Sequence, residues 1–162
     1  MLLLLRAAAI RLKYREGSAL AHTGLSPRGN MFEVSVEETF AAGHALRGYR
    51  GKCENVHGHN YKVRVTLQGR EVGSIGLLFD FKDLKEAIHC TVRKLDHQFL
   101  NDVPPFDTLN PSAENLAKYF FDEVSRLLAA GPPNGNPSAP CTVKSVTVWE
   151  TETTTATYTA AT

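Results

Sequence analysis

Hydrophobic and polar residues alternate along two stretches in the first half of the chain. The first runs over residues 31–44, where apolar positions such as Phe32 and Val34 are separated by polar ones. The second occupies residues 57–68. A period of two is typical of a strand with one buried face, so we predict two long strands. The glycine- and arginine-rich segment 45–56 is the predicted loop between them.

Two later stretches follow the three- and four-residue spacing of amphipathic helices. The first helix is predicted to start after Asp80, a residue type that caps helices, and to run to about Leu95. For the second helix we predict Asn110 as the cap and Pro111 as the first helical residue. Gly131 is the predicted stop of this helix, because glycine readily adopts the left-handed conformation that ends helices.

Two β-rich runs complete the pattern, one at 143–149 and the other, T-A-T-Y-T, after a brief turn. The resulting order ββααββ predicts an α+β fold, with a four-stranded antiparallel sheet and two helices on one of its faces. Both edges of such a sheet are open, and open edges favour strand addition by further copies of the chain.

The chain of 162 residues is 43% hydrophobic and 22% charged, which suits one soluble domain with a true core. We assign that domain to residues 31–162. Residues 1–30 are interpreted as a disordered or artefactual N-terminal extension, with Met31 as the natural start; their arginine-rich, acid-poor composition also fits a transit peptide.

Several functional classes are disfavoured by composition. No stretch approaches the roughly 20 apolar residues that a membrane span requires. The net charge of +1 gives no general attraction to nucleic acid. Three cysteines at irregular spacing do not form a disulfide framework, so a reducing compartment is expected. We therefore predict a cytoplasmic protein that binds neither membranes nor nucleic acid.

The candidate chemistry is concentrated in residues 53–59, which read C-E-N-V-H-G-H. His57 and His59 lie two residues apart on the second predicted strand, so both rings project from one face, and His44 ends the neighbouring strand. Three histidine nitrogens leave one tetrahedral position open, as in a catalytic zinc site. Cys53 then has two possible roles: the fourth ligand of a closed structural site, or a thiol made acidic by the nearby metal.

Further motifs surround this cluster: F-A-A-G-H at 40–44, the pair Asp96-His97, N-P-S-A-E-N-L-A at 110–117 and W-E-T at 149–151. In this order they resemble the 6-pyruvoyl-tetrahydropterin synthase and 6-carboxytetrahydropterin synthase family over about residues 31–160. The C-x3-H-G-H spacing is most similar to the bacterial 6-carboxytetrahydropterin synthases of the queuosine pathway.

The resemblance implies roles for individual residues. It implies that one Zn²⁺ per subunit is held by His44, His57 and His59. Cys53 would remove a proton from the substrate side chain, and His97, with Asp96 beside it, would exchange protons with that thiol and with the side-chain oxygens. Glu150 would hold the guanidine-like edge of the pterin.

The loop that precedes Cys53 carries the positive charge closest to the predicted metal. If the substrate carries a triphosphate, as it does in this family, the loop would bind it through Arg47, Arg50 and Lys52. The alternative is a basic loop that is simply solvated.

Together with the resemblance, these motifs predict a zinc-dependent lyase. The expected reaction converts 7,8-dihydroneopterin triphosphate to 6-carboxy-5,6,7,8-tetrahydropterin and releases acetaldehyde and triphosphate. Triphosphate elimination to the 6-pyruvoyl product is the close alternative. Two more distant ones are a non-enzymatic pterin-binding module with a closed zinc site and a cyclohydrolase that acts on GTP. The resemblance also implies a homo-oligomeric barrel, commonly a hexamer of two stacked trimers, with active sites at subunit boundaries.

Overall fold

The computed structural model of the protein describes residues 30–160. Its main elements are β1 (Phe32–His44), β2 (His57–Gly69), α1 (Phe81–Val92), α2 (Ala113–Ala129), β3 (Thr142–Trp149) and β4 (Thr155–Thr159). The predicted order ββααββ is confirmed. The interpretation of residues 1–30 as an extension concerns a segment that lies, apart from Asn30, outside the described residues.

The four strands form one antiparallel sheet in the order β1-β2-β3-β4. β1 and β2 pair in continuous register from Phe32 opposite Gly69 to His44 opposite His57. The same register places Ala42 opposite His59. The pairing therefore brings the end of the first strand beside the start of the second, where the histidines lie.

One face of the sheet carries the core, and alternation along β2 shows why. The fully buried side chains of β2 are Tyr61, Val63, Val65 and Leu67. Burying an apolar side chain of this size stabilises the fold by about 1.5–3 kcal/mol. α1 packs against β1, and α2 packs against β3 and β4. Both helices thus cover one face, as predicted, and the other face carries charged pairs such as Arg64 with Glu37.

α1 begins as predicted, because the Asp80 carboxylate accepts a hydrogen bond from the Lys82 N–H at 2.7 Å. The helix ends at Val92, before the predicted Leu95. The Leu95 and Asp96 N–H groups both donate to the Val92 carbonyl, at 2.8 and 2.9 Å, so the chain turns tightly here. Leu95 is nevertheless fully buried. The spacing of apolar residues that predicted the helix therefore continues past the end of α1.

α2 is capped by Ser112, so the prediction of Asn110 as cap and Pro111 as first helical residue is wrong. The Ser112 hydroxyl accepts a hydrogen bond from the Asn115 N–H at 3.4 Å. Asn110 and Pro111 make tertiary contacts instead, as described below. The predicted stop is confirmed: Gly131 follows the end of α2 with a φ of 101°.

All three cysteines, Cys53, Cys90 and Cys141, are free thiols. Within residues 30–160, no helix has the length and apolar character needed to cross a membrane.

Candidate metal centre and active site

Three histidines meet where the loop joins β1 to β2. His44 and His57 face each other as the last and first residues of their strands, and His59 lies two positions further along β2. One ring nitrogen from each histidine lies within 4.8 Å of the other two. His44 is fully buried and the other two rings are partly buried. The structure therefore brings together the two histidines that strand periodicity placed on one face of β2 and the third from the end of β1.

Backbone carbonyls fix the orientation of two of these rings. His44 Nδ1 lies 2.8 Å from the Pro111 carbonyl oxygen, and His57 Nδ1 lies 2.7 Å from that of Asn55. Because a carbonyl oxygen can only accept, each Nδ1 carries the proton and each Nε2 presents a lone pair. Burial lowers the pKa of His44, which favours the neutral ring. A backbone acceptor on the distal nitrogen is typical of metal-binding histidines.

The two Nε2 atoms of His44 and His57 are 3.1 Å apart, so their lone pairs face each other. The Glu150 carboxylate, just past β3, adds more negative charge: Oε1 lies 3.3 Å from His44 Nε2 and 3.8 Å from His59 Nε2. Within the described residues, His59 Nε2 has no hydrogen-bond partner although it is buried. Electron-pair donors therefore converge on one point. This arrangement fits a cation, and three imidazoles fit Zn²⁺.

Tyr61 lies beneath this cluster, on the same face of β2. Its ring is fully buried and contacts those of His44 and His59 edge-on, with centroids 5.9 and 5.5 Å apart. Burial, and then the charge of Glu150, raises the pKa of Tyr61 well above its usual range, so the phenol stays neutral. The aromatic ring of Tyr61 therefore forms an apolar surface against the rings of His44 and His59.

Cys53 lies in a short 3-10 turn, Lys52–Glu54, within the loop between β1 and β2, the two strands that carry the histidines. Its side chain is partly buried. The cluster of mutually close ligand atoms contains the three histidines and does not include the Cys53 thiol. The Cys53 carbonyl accepts a hydrogen bond from the Leu46 N–H at 2.8 Å, which ties the cysteine to the residues that follow His44.

Asp96 and His97 form a bonded pair in the turn after α1. His97 Nδ1 lies 2.9 Å from Asp96 Oδ2, and Asp96 Oδ1 accepts the Ala41 N–H at 2.9 Å. The bond from Ala41, followed by that from His97, holds the pKa of the Asp96 carboxyl below its usual range. Neighbours on a helix diverge by about 100°, so adjacency in sequence alone does not predict this contact. It forms because His97 adopts a left-handed φ of 57°.

His97 is held firmly yet faces outward. Its N–H donates to the Ala41 carbonyl at 2.6 Å, while its side chain is 81% exposed. His97 and His59 line the same groove of about 430 Å³, together with Gly43 and Gly58. A β-carbon at Gly58 would lie 3.3 Å from the Ala42 carbonyl oxygen, so glycine permits the close strand approach here. A larger cavity of about 770 Å³ lies between α2 and β3 and contains none of the predicted site residues.

The three basic residues of the loop are placed differently. Arg47 directs its guanidinium at the backbone: Nη2 donates to the carbonyls of Phe106 and Leu109, at 2.5 and 2.7 Å. Arg50 and Lys52 are exposed. Arg47 therefore holds the segment that precedes α2, and all three basic residues are exposed.

Three histidine nitrogens that converge at the hairpin of an antiparallel sheet are typical of a zinc-binding site. Residues 33–161 match the family model described as 6-pyruvoyl tetrahydropterin synthase. The chain belongs to this family of pterin lyases.

The relatives carry two different names. The chain is 34% identical over 125 residues to 6-pyruvoyl tetrahydrobiopterin synthase of Poecilia reticulata, covering 68% of this chain and 85% of the relative. It is also 34% identical over 102 residues to 6-carboxy-5,6,7,8-tetrahydropterin synthase of Bacillus subtilis, covering 60% and 68%. Among solved structures it is similar to 6-pyruvoyl tetrahydropterin synthase of Caenorhabditis elegans, with a TM-score of 0.69, 27% identity and 83% and 99% coverage. Identity to these relatives therefore does not distinguish the two named activities.

Proposed function

We propose that this protein converts 7,8-dihydroneopterin triphosphate to 6-carboxy-5,6,7,8-tetrahydropterin, with release of acetaldehyde and triphosphate, in queuosine biosynthesis. The observation that carries the proposal is the convergence of three histidine nitrogens beside Glu150. The short spacing between Cys53 and His57 favours the carboxy product over the pyruvoyl product.

His44, His57 and His59 would hold one Zn²⁺ per subunit, with the tautomers of His44 and His57 already set by their carbonyl partners. Zinc bound there would act as a Lewis acid toward the side-chain oxygens of the substrate and ease loss of a proton from the adjacent carbon.

Cys53 is the proposed acceptor of that proton, because a thiol beside a metal cation is readily converted to the thiolate. His97 would exchange protons with this thiol and with the side-chain oxygens. Since the Asp96 carboxylate accepts from Nδ1–H, the Nε2 of His97 is left to take up or release a proton. Asp96 thus orients the imidazole.

Glu150 is the proposed anchor of the pterin. A carboxylate can accept two parallel N–H bonds from an aminopyrimidine edge, and this pairing fixes the orientation of the ring. Glu150 is 28% exposed, so a ligand can reach it. For the triphosphate we propose the loop residues Arg50 and Lys52, with Arg47 contributing through the nitrogens that do not bind the backbone.

We further propose that the active protein is a hexamer of two stacked trimers, with each site completed at a subunit boundary. β1 and β4 lie at the two edges of the sheet and are available for pairing with other copies. The loop exposes Tyr49 (50%) and Val56 (71%), and large apolar exposure suits an interface. His97 would serve a neighbouring chain, whereas Glu150 lies beside the histidines of its own chain. The free thiols suit the cytoplasm.

The test is product analysis by mass spectrometry after incubation of zinc-loaded protein with dihydroneopterin triphosphate or sepiapterin. The 6-carboxy product supports the proposal. A 6-pyruvoyl product would establish the alternative, which is the activity named for the Poecilia reticulata relative. Turnover of GTP itself would reject both in favour of a cyclohydrolase.

The variant Cys53→Ala separates enzymatic from structural zinc. Retention of zinc with loss of activity supports the role of Cys53 as base. Loss of zinc together with the fold would point to the closed, four-ligand structural site and to a non-enzymatic module.

A further inference from the structure

Two asparagine side chains bind the backbone that follows His44. Asn101 accepts the Ala45 N–H through Oδ1 at 2.9 Å and donates from Nδ2 to the Ala45 carbonyl at 2.8 Å. Asn110 does the same at Arg47: Oδ1 accepts the N–H at 2.8 Å, and Nδ2 donates to the carbonyl at 2.9 Å. Each amide therefore pairs with both polar groups of one residue, as a neighbouring strand would.

Leu46 lies between the two clamped residues, and its N–H makes the bond to the Cys53 carbonyl at 2.8 Å. The other backbone bonds of segment 48–56 are local turns, such as that from Asn55 N–H to the Lys52 carbonyl at 3.1 Å. The hydrogen bond from the Leu46 N–H is thus the backbone contact that ties Cys53 to the residues after His44. The position of the cysteine depends on how firmly residues 45–47 are held.

The same segment before α2 also orients a metal ligand. The Asn110 carbonyl accepts from Asn115 Nδ2 at 2.8 Å, which anchors the segment to the first turn of α2. The next residue, Pro111, provides the carbonyl that accepts His44 Nδ1–H. The segment that contains Asn110 and Pro111 therefore has two effects. It sets the tautomer of His44, and it holds the backbone of residues 45–47, which contacts the Cys53 loop.

We propose that Asn101 and Asn110 are positioning residues for Cys53: their paired bonds to Ala45 and Arg47 hold the platform from which Leu46 fixes the thiol relative to the metal ligands. The inference rests on the proposed function, in which Cys53 is the base. A proton acceptor is effective only close to hydrogen-bonding distance, and a displacement of about 1 Å can cost roughly 100-fold in rate.

The test uses Asn101→Ala and Asn110→Ala in the full-length, zinc-loaded protein. The matched control is Asn136→Ala. Asn136 also donates through its amide to groups of the fold, at 3.0 Å to Asp83 and 3.2 Å to Asp80, but it lies outside the loop. Five quantities are measured: zinc content, melting temperature, kcat, KM, and the rate at which iodoacetamide alkylates Cys53. The alkylation rate is followed by mass spectrometry of the peptide that contains Cys53.

We expect both variants to retain zinc, to melt close to the control, and to alkylate at Cys53 with a rate changed by about threefold or more. Their kcat should fall by about 10- to 100-fold, with a smaller change in KM. Wild-type values of kcat and of the Cys53 alkylation rate in both variants would overturn the inference. A structural role alone would lower the melting temperature without changing the alkylation rate of the folded protein.

Two further outcomes are covered as follows: an alanine variant that does not fold, and a wild-type protein that lacks the proposed activity. If an alanine variant does not fold, Asn110→Asp tests the inference, because it keeps the oxygen that accepts the Arg47 N–H and replaces the donor to the Arg47 carbonyl with a charged oxygen that cannot donate. If that variant keeps the wild-type kcat and Cys53 alkylation rate, Asn110 is not a positioning residue for Cys53. If the wild-type protein does not turn over dihydroneopterin triphosphate, the proposed function fails, while the alkylation rates still decide whether the asparagines position the thiol.

Discussion

His44 and His57 bring their Nε2 atoms to 3.1 Å while each Nδ1 donates to a backbone carbonyl. With both Nδ1 protons committed, neither neutral ring can donate a hydrogen bond to the other. The cluster is therefore unfavourable by itself and becomes favourable when a cation accepts the lone pairs. Metal binding at this cluster would therefore stabilise the fold.

Zinc should raise the stability of the protein, and chelation should lower it. At a free zinc concentration about 100 times the Kd, the free energy of unfolding rises by about 2.7 kcal/mol if only the folded state binds. Thermal unfolding with zinc and with EDTA measures the difference. His59→Ala should abolish it, whereas His89→Ala, which removes a ring that pairs with Glu38 at 2.8 Å, should retain it. An equal zinc response in the two variants would contradict the assigned ligands.

Glu150→Gln should weaken both metal binding and catalysis, because it removes a negative charge 3.3 Å from His44 Nε2 at nearly constant volume. We expect zinc affinity to fall by about tenfold and the KM for the pterin substrate to rise by at least about tenfold. Chelator competition and steady-state kinetics measure the two effects. Glu152→Gln, an exposed carboxylate on the same turn, is the control and should change neither.

Asp96 should contribute a pH-dependent stability. Its pKa is held below the ordinary value of 3.8, so its bonds stabilise the fold above about that pH, and the contribution is lost as the pH falls through the lowered pKa. Asp96→Asn should therefore cost stability at pH 6, and the cost should shrink toward pH 2–3. We expect less than about 1 kcal/mol, since the side chain is 37% exposed.

Urea unfolding of chelated protein at both pH values measures this difference, with Asp107→Asn, another exposed carboxylate, as control. A deficit of Asp96→Asn that stays constant down to pH 2 would mean that the carboxylate charge has no part in the stabilisation.

Asp83→Ala should be among the most destabilising substitutions outside the active site. The fully buried carboxylate accepts three hydrogen bonds: from the Asn134 N–H at 2.6 Å, from Asn134 Nδ2 at 2.7 Å and from Asn136 Nδ2 at 3.0 Å. Truncation leaves these donors without a partner, which costs about 2–4 kcal/mol. Asp122→Ala, which breaks an exposed pair with Lys118, should cost much less when measured by chemical denaturation. Similar losses of stability in the two variants would show that water replaces the Asp83 carboxylate as hydrogen-bond partner of Asn134 and Asn136.

Sequence periodicity predicted the sheet because the two long strands have one buried and one solvated face along their whole length. The alternation that buries Tyr61 also places His57 and His59 on a common face, so the metal site follows from the same pattern. The start of α1 was also predictable from the sequence. The hydrogen bond that caps this helix joins Asp80 to Lys82, only two residues further along the chain.

Features that depend on tertiary partners were not predictable in this way. Asn110 has the residue type and the following proline of a helix cap, but its amide binds Arg47, so Ser112 takes the cap. The bonded pair of Asp96 and His97 depends on a left-handed backbone at a residue other than glycine. The distance from Glu150 to His44 depends on how β3 packs beside β2, and spacing within a motif carries no information on that.

The uninterrupted pairing of β1 with β2 has a consequence for how the hairpin reaches its native alignment. A slip of one residue would turn every side chain of one strand to the opposite face, separating His44 from His57 and His59. A misaligned hairpin could not gather three imidazoles around one ion. A metal ion bound by all three histidines would therefore stabilise the native register of the hairpin over slipped ones.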